Sequence, residues 1–288
     1  MNKIDIFLIK NETGSVANTE DSRLITQELL AKQCEQNNLS YNIKFLSLSE
    51  LPTNSNSDAV SVFLENSSVP KNYIKNLLCL QTLYADWSIL CGNILTLIPE
   101  IRNDKFSSEI SKYAFNYELS KYSKNLVCDI TSDFDNFPPS YNISIASRAY
   151  NEAGGISPII SPRGAINNDR GFLLSCSNVG KIIHSNSLST SLSLSQQQFT
   201  IESICKYFYE LGFMASLNIK FKKAPHFEII WKQFVETPES LDHRVLGRLT
   251  FALNGSSDEN KIFAEKIAMI KCSYQSGLFE GLSGVKVL

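Results

Sequence analysis

Two spacings of hydrophobic positions alternate along the first two thirds of the chain. Short, nearly continuous apolar runs occupy residues 4–9, 41–48, 59–64 and 87–97. Runs of that length, bounded by turn-forming residues, predict strands of a buried sheet. Between them the spacing lengthens to that of a helix. Leu24, Leu29, Leu30 and Cys34 fall on one side of residues 20–36, and Tyr73, Leu77, Leu80 and Tyr84 on one side of 69–84. Phe106, Ile110, Tyr113, Ala114 and Tyr117 mark a further amphipathic helix. Strands alternating with helices predict parallel βαβ units in an α/β sheet. From about Gln196 the pattern changes. Ile201, Ile204, Cys205, Phe208 and Leu211 are helix-spaced, and Ser256-Ser257-Asp258-Glu259 forms a capping box before Phe263, Ile267, Ile270 and Tyr274. The predicted organisation is an α/β domain over 1–195 and a mainly helical region over 196–288.

Composition narrows the function classes without naming one. Hydrophobic residues make up 43% of the 288, enough to bury a core, and charged ones 19%. A net charge of −2 gives no global attraction to nucleic acid or an anionic membrane. The seven cysteines form no CxxC pair, and with three histidines they do not read as a zinc site or a disulfide framework. They read as small buried thiols in a reducing compartment. No stretch approaches the roughly 20 apolar residues that span a bilayer, and the opening "MNKIDIFLIK" lacks a signal-peptide pattern. The expectation is a soluble cytoplasmic protein.

Two stretches carry candidate chemistry. The first is "AVSVFLENSSVP", a strand-like run that stops on Glu65, Asn66, Ser67 and Ser68 before Pro70. Open α/β sheets bind ligands beyond the C-terminal tips of their strands. The second runs from Tyr141 to Ser193: an apolar segment, Arg148-Ala149-Tyr150, Gly154-Gly155, Asn168-Asp169, a helix over Phe172-Leu173-Leu174 ending at Gly180, then a strand over Lys181–His184. In order and spacing these residues resemble glycosyltransferase family 2, which has the GT-A fold. There a strand ends in Asp-x-Asp, an arginine-bearing helix leads to Gly-Gly, and an acidic pair opens the next helix. The likeness spans roughly residues 1–195.

The resemblance implies a GT-A-like, Rossmann-like sheet that binds a nucleotide-sugar donor and passes its sugar to an acceptor hydroxyl with inversion. The acceptor class stays open: a glycan, lipid, peptide, small metabolite or modified nucleic acid. The implied roles are a catalytic base for Asp169 and donor contacts for Glu65, Asn66, Ser67, Asn168 and Arg148. Glu65 is also the implied ligand of a divalent cation, manganese or magnesium. The sequence departs from the family pattern in three places. Asp-x-Asp becomes Glu65-Asn66-Ser67, with one carboxylate where two would hold a metal between phosphates. The loop over 49–58 offers Glu50 and Asp58 but no match to the base-binding aspartate. The late Ser-x-Arg reads Thr190-Ser191-Leu192-Ser193, without the arginine.

Plainer readings stand beside these. Glu65 also suits a strand-end turn, and Asn168 or Asp169 a helix N-cap. Arg148, Arg163 and Arg170 suit a solvated surface as well as a diphosphate. Asp133-Phe134-Asp135 reads as a solvated loop, the basic run around Lys220, Lys222 and Lys223 as a solvated face, and His184 as a packing residue. The rival from another class is a transferase-like fold that has lost catalysis and binds or scaffolds.

Overall fold

The computed structural model describes residues 1–10, 19–47, 50–64, 67–97, 127–132, 138, 141–156, 158–161, 164–167, 169–193, 200–202, 204–206, 208–209, 212–213, 216 and 257–284. Two compact units divide the chain. One comprises Met1–Pro99, Phe115–Ile160 and Asn167–Ser195, and the other Glu100–Ala114, Ser161–Ile166 and Gln196–Leu288.

The first unit is built on a seven-stranded sheet. Its strands are β1 (Lys3–Ile9), β2 (Ser40–Leu46), β3 (Ala59–Leu64), β5 (Trp87–Cys91), β7 (Val127–Asp129), β8 (Ile143–Ala146) and β11 (Lys181–Ser185). They lie in the order β2-β1-β3-β8-β5-β11-β7. β1 pairs in parallel with β2 and β3, and β5 in parallel with β11. β8 runs antiparallel between β3 and β5, and β7 antiparallel along β11. The sheet is therefore open and mainly parallel, as the strand–helix alternation predicts.

Helices cover both faces. Along β1, Ile4, Ile6 and Leu8 point to one side, where α1 (Thr19–Gln36) and α2 (Tyr73–Leu83) bury Leu30, Cys34, Tyr73, Ile74 and Leu77 against them. The two-residue alternation sends Val60, Ile89, Ile145 and Ile182 to the other side. All four are buried and in cross-strand register. There α3 (Ser147–Glu152) and α4 (Asp169–Ser177) pack, α3 on β3, β5 and β8, and α4 on β5 and β11. Fully burying a Leu- or Ile-sized side chain contributes about 1.5–3 kcal/mol, so this two-sided burial dominates the unit's stability.

One predicted strand divides. The run over 87–97 becomes β5 and a separate β6 (Ile94–Leu97). β6 belongs to a three-stranded sheet with β4 (Ser67–Ser68) and β12 (Thr190–Ser193). The break falls at Gly92-Asn93. A Cβ on Gly92 would meet the Leu188 carbonyl carbon at 2.3 Å, so the chain turns where the backbone after β11 presses against it. Among the described residues β9 (Pro158–Ser161) and β10 (Gly164–Asn167) form a further two-stranded ribbon.

In the second unit the described residues between 201 and 216 are helical, and α5 runs Ser257–Gly284. Gly277 lets α5 lie directly on the Tyr209 carbonyl, and Ile204, Tyr209, Phe213 and Ile270 are buried. Residues 217–256, within the region expected to be mainly helical, lie outside the described residues. The amphipathic helix expected around Phe106–Tyr117 lies outside the described residues.

Candidate functional site

β1, β3, β5 and β11 all point the same way, so Ile9, Leu64, Cys91 and Ser185 end at one edge of the sheet. β3 stops at Leu64, and the chain resumes as β4 at Ser67. Glu65 and Asn66 lie outside the described residues, in the two-residue link between those strands. Ser67 is buried, and its carbonyl accepts the Thr26 hydroxyl at 2.6 Å, tying α1 to β4.

Asp169 is the first residue of α4. That helix packs on β5 and β11 and is joined to the start of β11 by residues 178–180. A nine-residue helix is about 13 Å long, close to the length of β11 at about 3.3 Å per residue. With so short a connection the helix runs back along the strand, and its N-terminus lies toward the C-terminal edge. Phe172, Leu173 and Cys176 are the buried side of α4. Asn168 lies outside the described residues, as do Arg163, Asp133-Phe134-Asp135 and Lys220, Lys222 and Lys223.

Arg148 lies at the other edge. β8 is antiparallel, so its last residue, Ala146, pairs with Ala59 at the start of β3. Arg148 follows on α3, exposed, and donates from Nη2 to the Val179 carbonyl at 2.9 Å, just before β11 begins. Asp58 is at this edge too. Its Oδ2 accepts the backbone N–H groups of Asn2 and Lys3, which hold its carboxyl below the usual range. Asp58 therefore ties down the start of β1. Glu50 accepts the Ser47 N–H at 2.7 Å and the Ser47 hydroxyl at 2.9 Å, and the backbone bond is the larger cause lowering its pKa.

Gly154-Gly155 has a structural task near that edge. Both glycines have φ of 75°, a conformation that costs a side-chain-bearing residue about 1–2 kcal/mol. They end α3, and a Cβ on Gly155 would meet the Pro52 carbonyl oxygen at 2.7 Å. Tyr150 donates its hydroxyl to the same carbonyl at 2.5 Å. The turn anchors the crossing from β2 to β3 against α3.

At the C-terminal edge the structure gathers residues that the sequence reading did not single out as a group. Asn142 precedes β8 with φ of 62°. Its Nδ2 approaches three carbonyl oxygens, those of Gly92 (3.3 Å), Asn93 (3.1 Å) and Leu188 (3.2 Å). One carboxamide thus joins the ends of β5, β8 and β11. Beside it, His184 Nε2 lies 2.9 Å from Asn93 Oδ1, and Asn93 Nδ2 donates to Asn186 Oδ1 at 3.1 Å. That arrangement makes Nε2 the protonated nitrogen and leaves Nδ1 as the acceptor facing Cys128 Sγ at 3.9 Å. Burial lowers the His184 pKa to about 4, so the ring is neutral at neutral pH. The sequence signal for this cluster is slight. Each residue sits at a strand tip, but the bonds join positions 46 to 93 apart.

No group of three or more His, Cys, Asp or Glu among the described residues is placed to hold a metal ion. Chemically, the described residues of this edge offer uncharged donors and acceptors joined by hydrogen bonds.

No family model matches the sequence, and no curated protein does. Solved structures of Staphylococcus aureus TarS align with it. TarS 1–349 in complex with UDP-GlcNAc covers 96% of this chain and 91% of its own, with 11% identity and a TM-score of 0.42. A second structure of TarS 1–349 covers 99% and 92%, with 11% identity and a TM-score of 0.40. A further TarS structure covers 97% of this chain and 55% of its own, with 12% identity and a TM-score of 0.41.

Proposed function

We propose that the chain is a glycosyltransferase of GT-A-like architecture that moves a sugar from a nucleotide-sugar donor to an acceptor hydroxyl. The observation that carries this reading is the strand order. It ends β1, β3, β5 and β11 at one edge of a mainly parallel sheet, where ligands of such sheets bind, and the reading assigns Glu65, Asn66 and Asp169 to that edge. The reaction is a single displacement. Asp169 removes the proton from the acceptor hydroxyl as that oxygen attacks the anomeric carbon, and the nucleoside diphosphate leaves. The N-terminal end of a helix keeps such a carboxylate ionised. Glu65 and Asn66 lie by the diphosphate. A divalent cation, if used, gains one carboxylate from them, so its contribution is weaker than with two. Arg148, at the opposite edge, takes no part.

The single carboxylate at 65–67 favours a second reading, a binding protein that keeps the fold without turnover. Thermal shift separates the two from an inert protein. A panel of nucleotide-sugars, UDP-GlcNAc among them, is added with manganese and with chelator. A bound donor at 100 times its Kd raises stability by about 2.7 kcal/mol. We expect one class of nucleotide to raise the melting point, with a partial loss on chelation and a further loss in Glu65→Ala. A shift that vanishes completely on chelation and survives Glu65→Ala would refute the Glu65 assignment. No shift with any nucleotide would refute the function.

A further inference from the structure

Near the end of β11 the sheet lines up a thiol, an imidazole and two carboxamides. His184 on β11 stands directly opposite Cys128 on β7 and Cys91 on β5, and residues in cross-strand register share a face. Cys128 Sγ lies 3.9 Å from His184 Nδ1, and His184 Nε2 donates to Asn93 Oδ1 at 2.9 Å. Asn93 is held in turn by Asn186 Oδ1 at 3.1 Å. The ring is enclosed and bonded at its far nitrogen, so Nδ1 stays aimed at the sulfur. Nucleophile, base and orienting group stand in the order that nucleophilic catalysis uses.

Cys91 shows what this order adds. It flanks the same histidine, but its Sγ donates to the Ile183 carbonyl at 3.6 Å, and burial raises its pKa. Cys128 is half-buried, on the last strand of the seven-stranded sheet. Burial keeps His184 neutral, so the pair rests as S–H···N and the proton moves to Nδ1 as the sulfur attacks. Among the described residues, Cys91 is the other titratable group in register on this face. The covering helices α3 and α4 carry Arg148, Tyr150, Glu152, Asp169, Arg170 and Cys176. Asp129 alternates to the opposite face. Attack on a carbonyl would also need donors for a developing oxyanion. The nearby carboxamide donors are already committed, Asn93 Nδ2 to Asn186 and Asn142 Nδ2 to backbone carbonyls. Attack on a disulfide needs none, because the charge leaves on the departing sulfur. We propose that Cys128 is a modification site, a thiol that His184 and Asn93 equip to exchange with a small disulfide. Cys128 Sγ bonds to one sulfur of the disulfide and the S–S bond breaks. The Cys128 proton passes to Nδ1 and on to the departing thiolate. The products are a mixed disulfide and one small thiol. This inference stands apart from the proposed sugar transfer.

The test is site-resolved labelling of the full chain with glutathione disulfide between pH 8 and pH 5, read by peptide mass after acid quenching. An ordinary thiol titrates near 8.5 and loses reactivity about 10-fold per pH unit below that. The exposed Cys79 and Cys272 should therefore slow by about 10³-fold across the range. Cys128 should slow by less than about 10-fold, since its proton goes to Nδ1 rather than to solvent. His184→Gln should return Cys128 to the slope of Cys79, and a variant that keeps the shallow slope overturns the inference. The wild type alone also decides it. A Cys128 that follows the slope of Cys79, or that reacts only after unfolding, is a packing thiol. Alkylation of Cys128 by iodoacetamide with no mixed disulfide formed would overturn the choice of a disulfide as partner.

Discussion

His184 shows how burial sets a residue's chemistry. Its ring is enclosed at the end of β11, donates from Nε2 to Asn93, and has its pKa lowered to about 4. In the unfolded chain a histidine titrates near 6.5. Between those values the unfolded state binds the proton that the folded state refuses. Folding stability is therefore full above about pH 6.5 and falls as the pH drops toward 4. The loss reaches the order of 3 kcal/mol by the lower limit. Glutamine at 184 cannot titrate, so His184→Gln should flatten the melting-point profile between pH 4 and 6.5 while lowering stability somewhat at neutral pH. A profile that keeps the wild-type slope would place the acid sensitivity elsewhere. Burial likewise pushes the Cys34 and Cys176 thiols up, to about 11 and about 12, which makes them the inert packing thiols expected from the sequence.

Between elements, α1 and α2 depend on one glutamine. α2 starts without a side-chain cap of its own. Gln33, near the end of α1, supplies one from across the interface. Its Oε1 accepts the Ile74 N–H at 3.0 Å and its Nε2 donates to the Pro70 carbonyl at 3.0 Å. Gln33 is itself buried. Gln33→Ala should cost about 1–3 kcal/mol, because it strands a buried N–H and a carbonyl at a helix start. Denaturant unfolding should show a lower midpoint with an unchanged slope. A midpoint within about 0.5 kcal/mol of wild type would mean that water caps α2 instead. Nothing in the local pattern marks this role, since Gln33 and Ile74 are 41 residues apart. What the pattern does show is the elements themselves. The strand over 59–64 is seen with its predicted bounds, and α5 begins at Ser257, where the sequence predicts a helix start. Continuous apolar runs and helical spacing are local properties, so they survive in one dimension.

Across the whole molecule, strand direction decides which edge a residue reaches, and direction is what the sequence hides. The apolar segment after Tyr141 reads as one more strand in an alternating series. It enters between β3 and β5 reversed. The reversal sends Arg148 to the edge where β3 begins and Asn142 to the edge where β3 ends. The divided run at Gly92-Asn93 is hidden in the same way, because its cause is the backbone of Leu188. A strand tip or a helix start is a local feature that the sequence can mark, which is why the expectations fall on Glu65 and Asp169. The site is illegible where long-range bonds assemble it. The account turns on Asp169 as a base, and a base acts in the transition state more than in binding. The direct measurement is nucleoside diphosphate release from the bound donor by wild type and Asp169→Asn, beside their donor-induced melting shifts. Asparagine preserves size and capping, so the donor shift should persist while turnover falls about 10²–10⁴-fold. Unchanged turnover with a lower melting point would instead make Asp169 a structural cap and contradict the account.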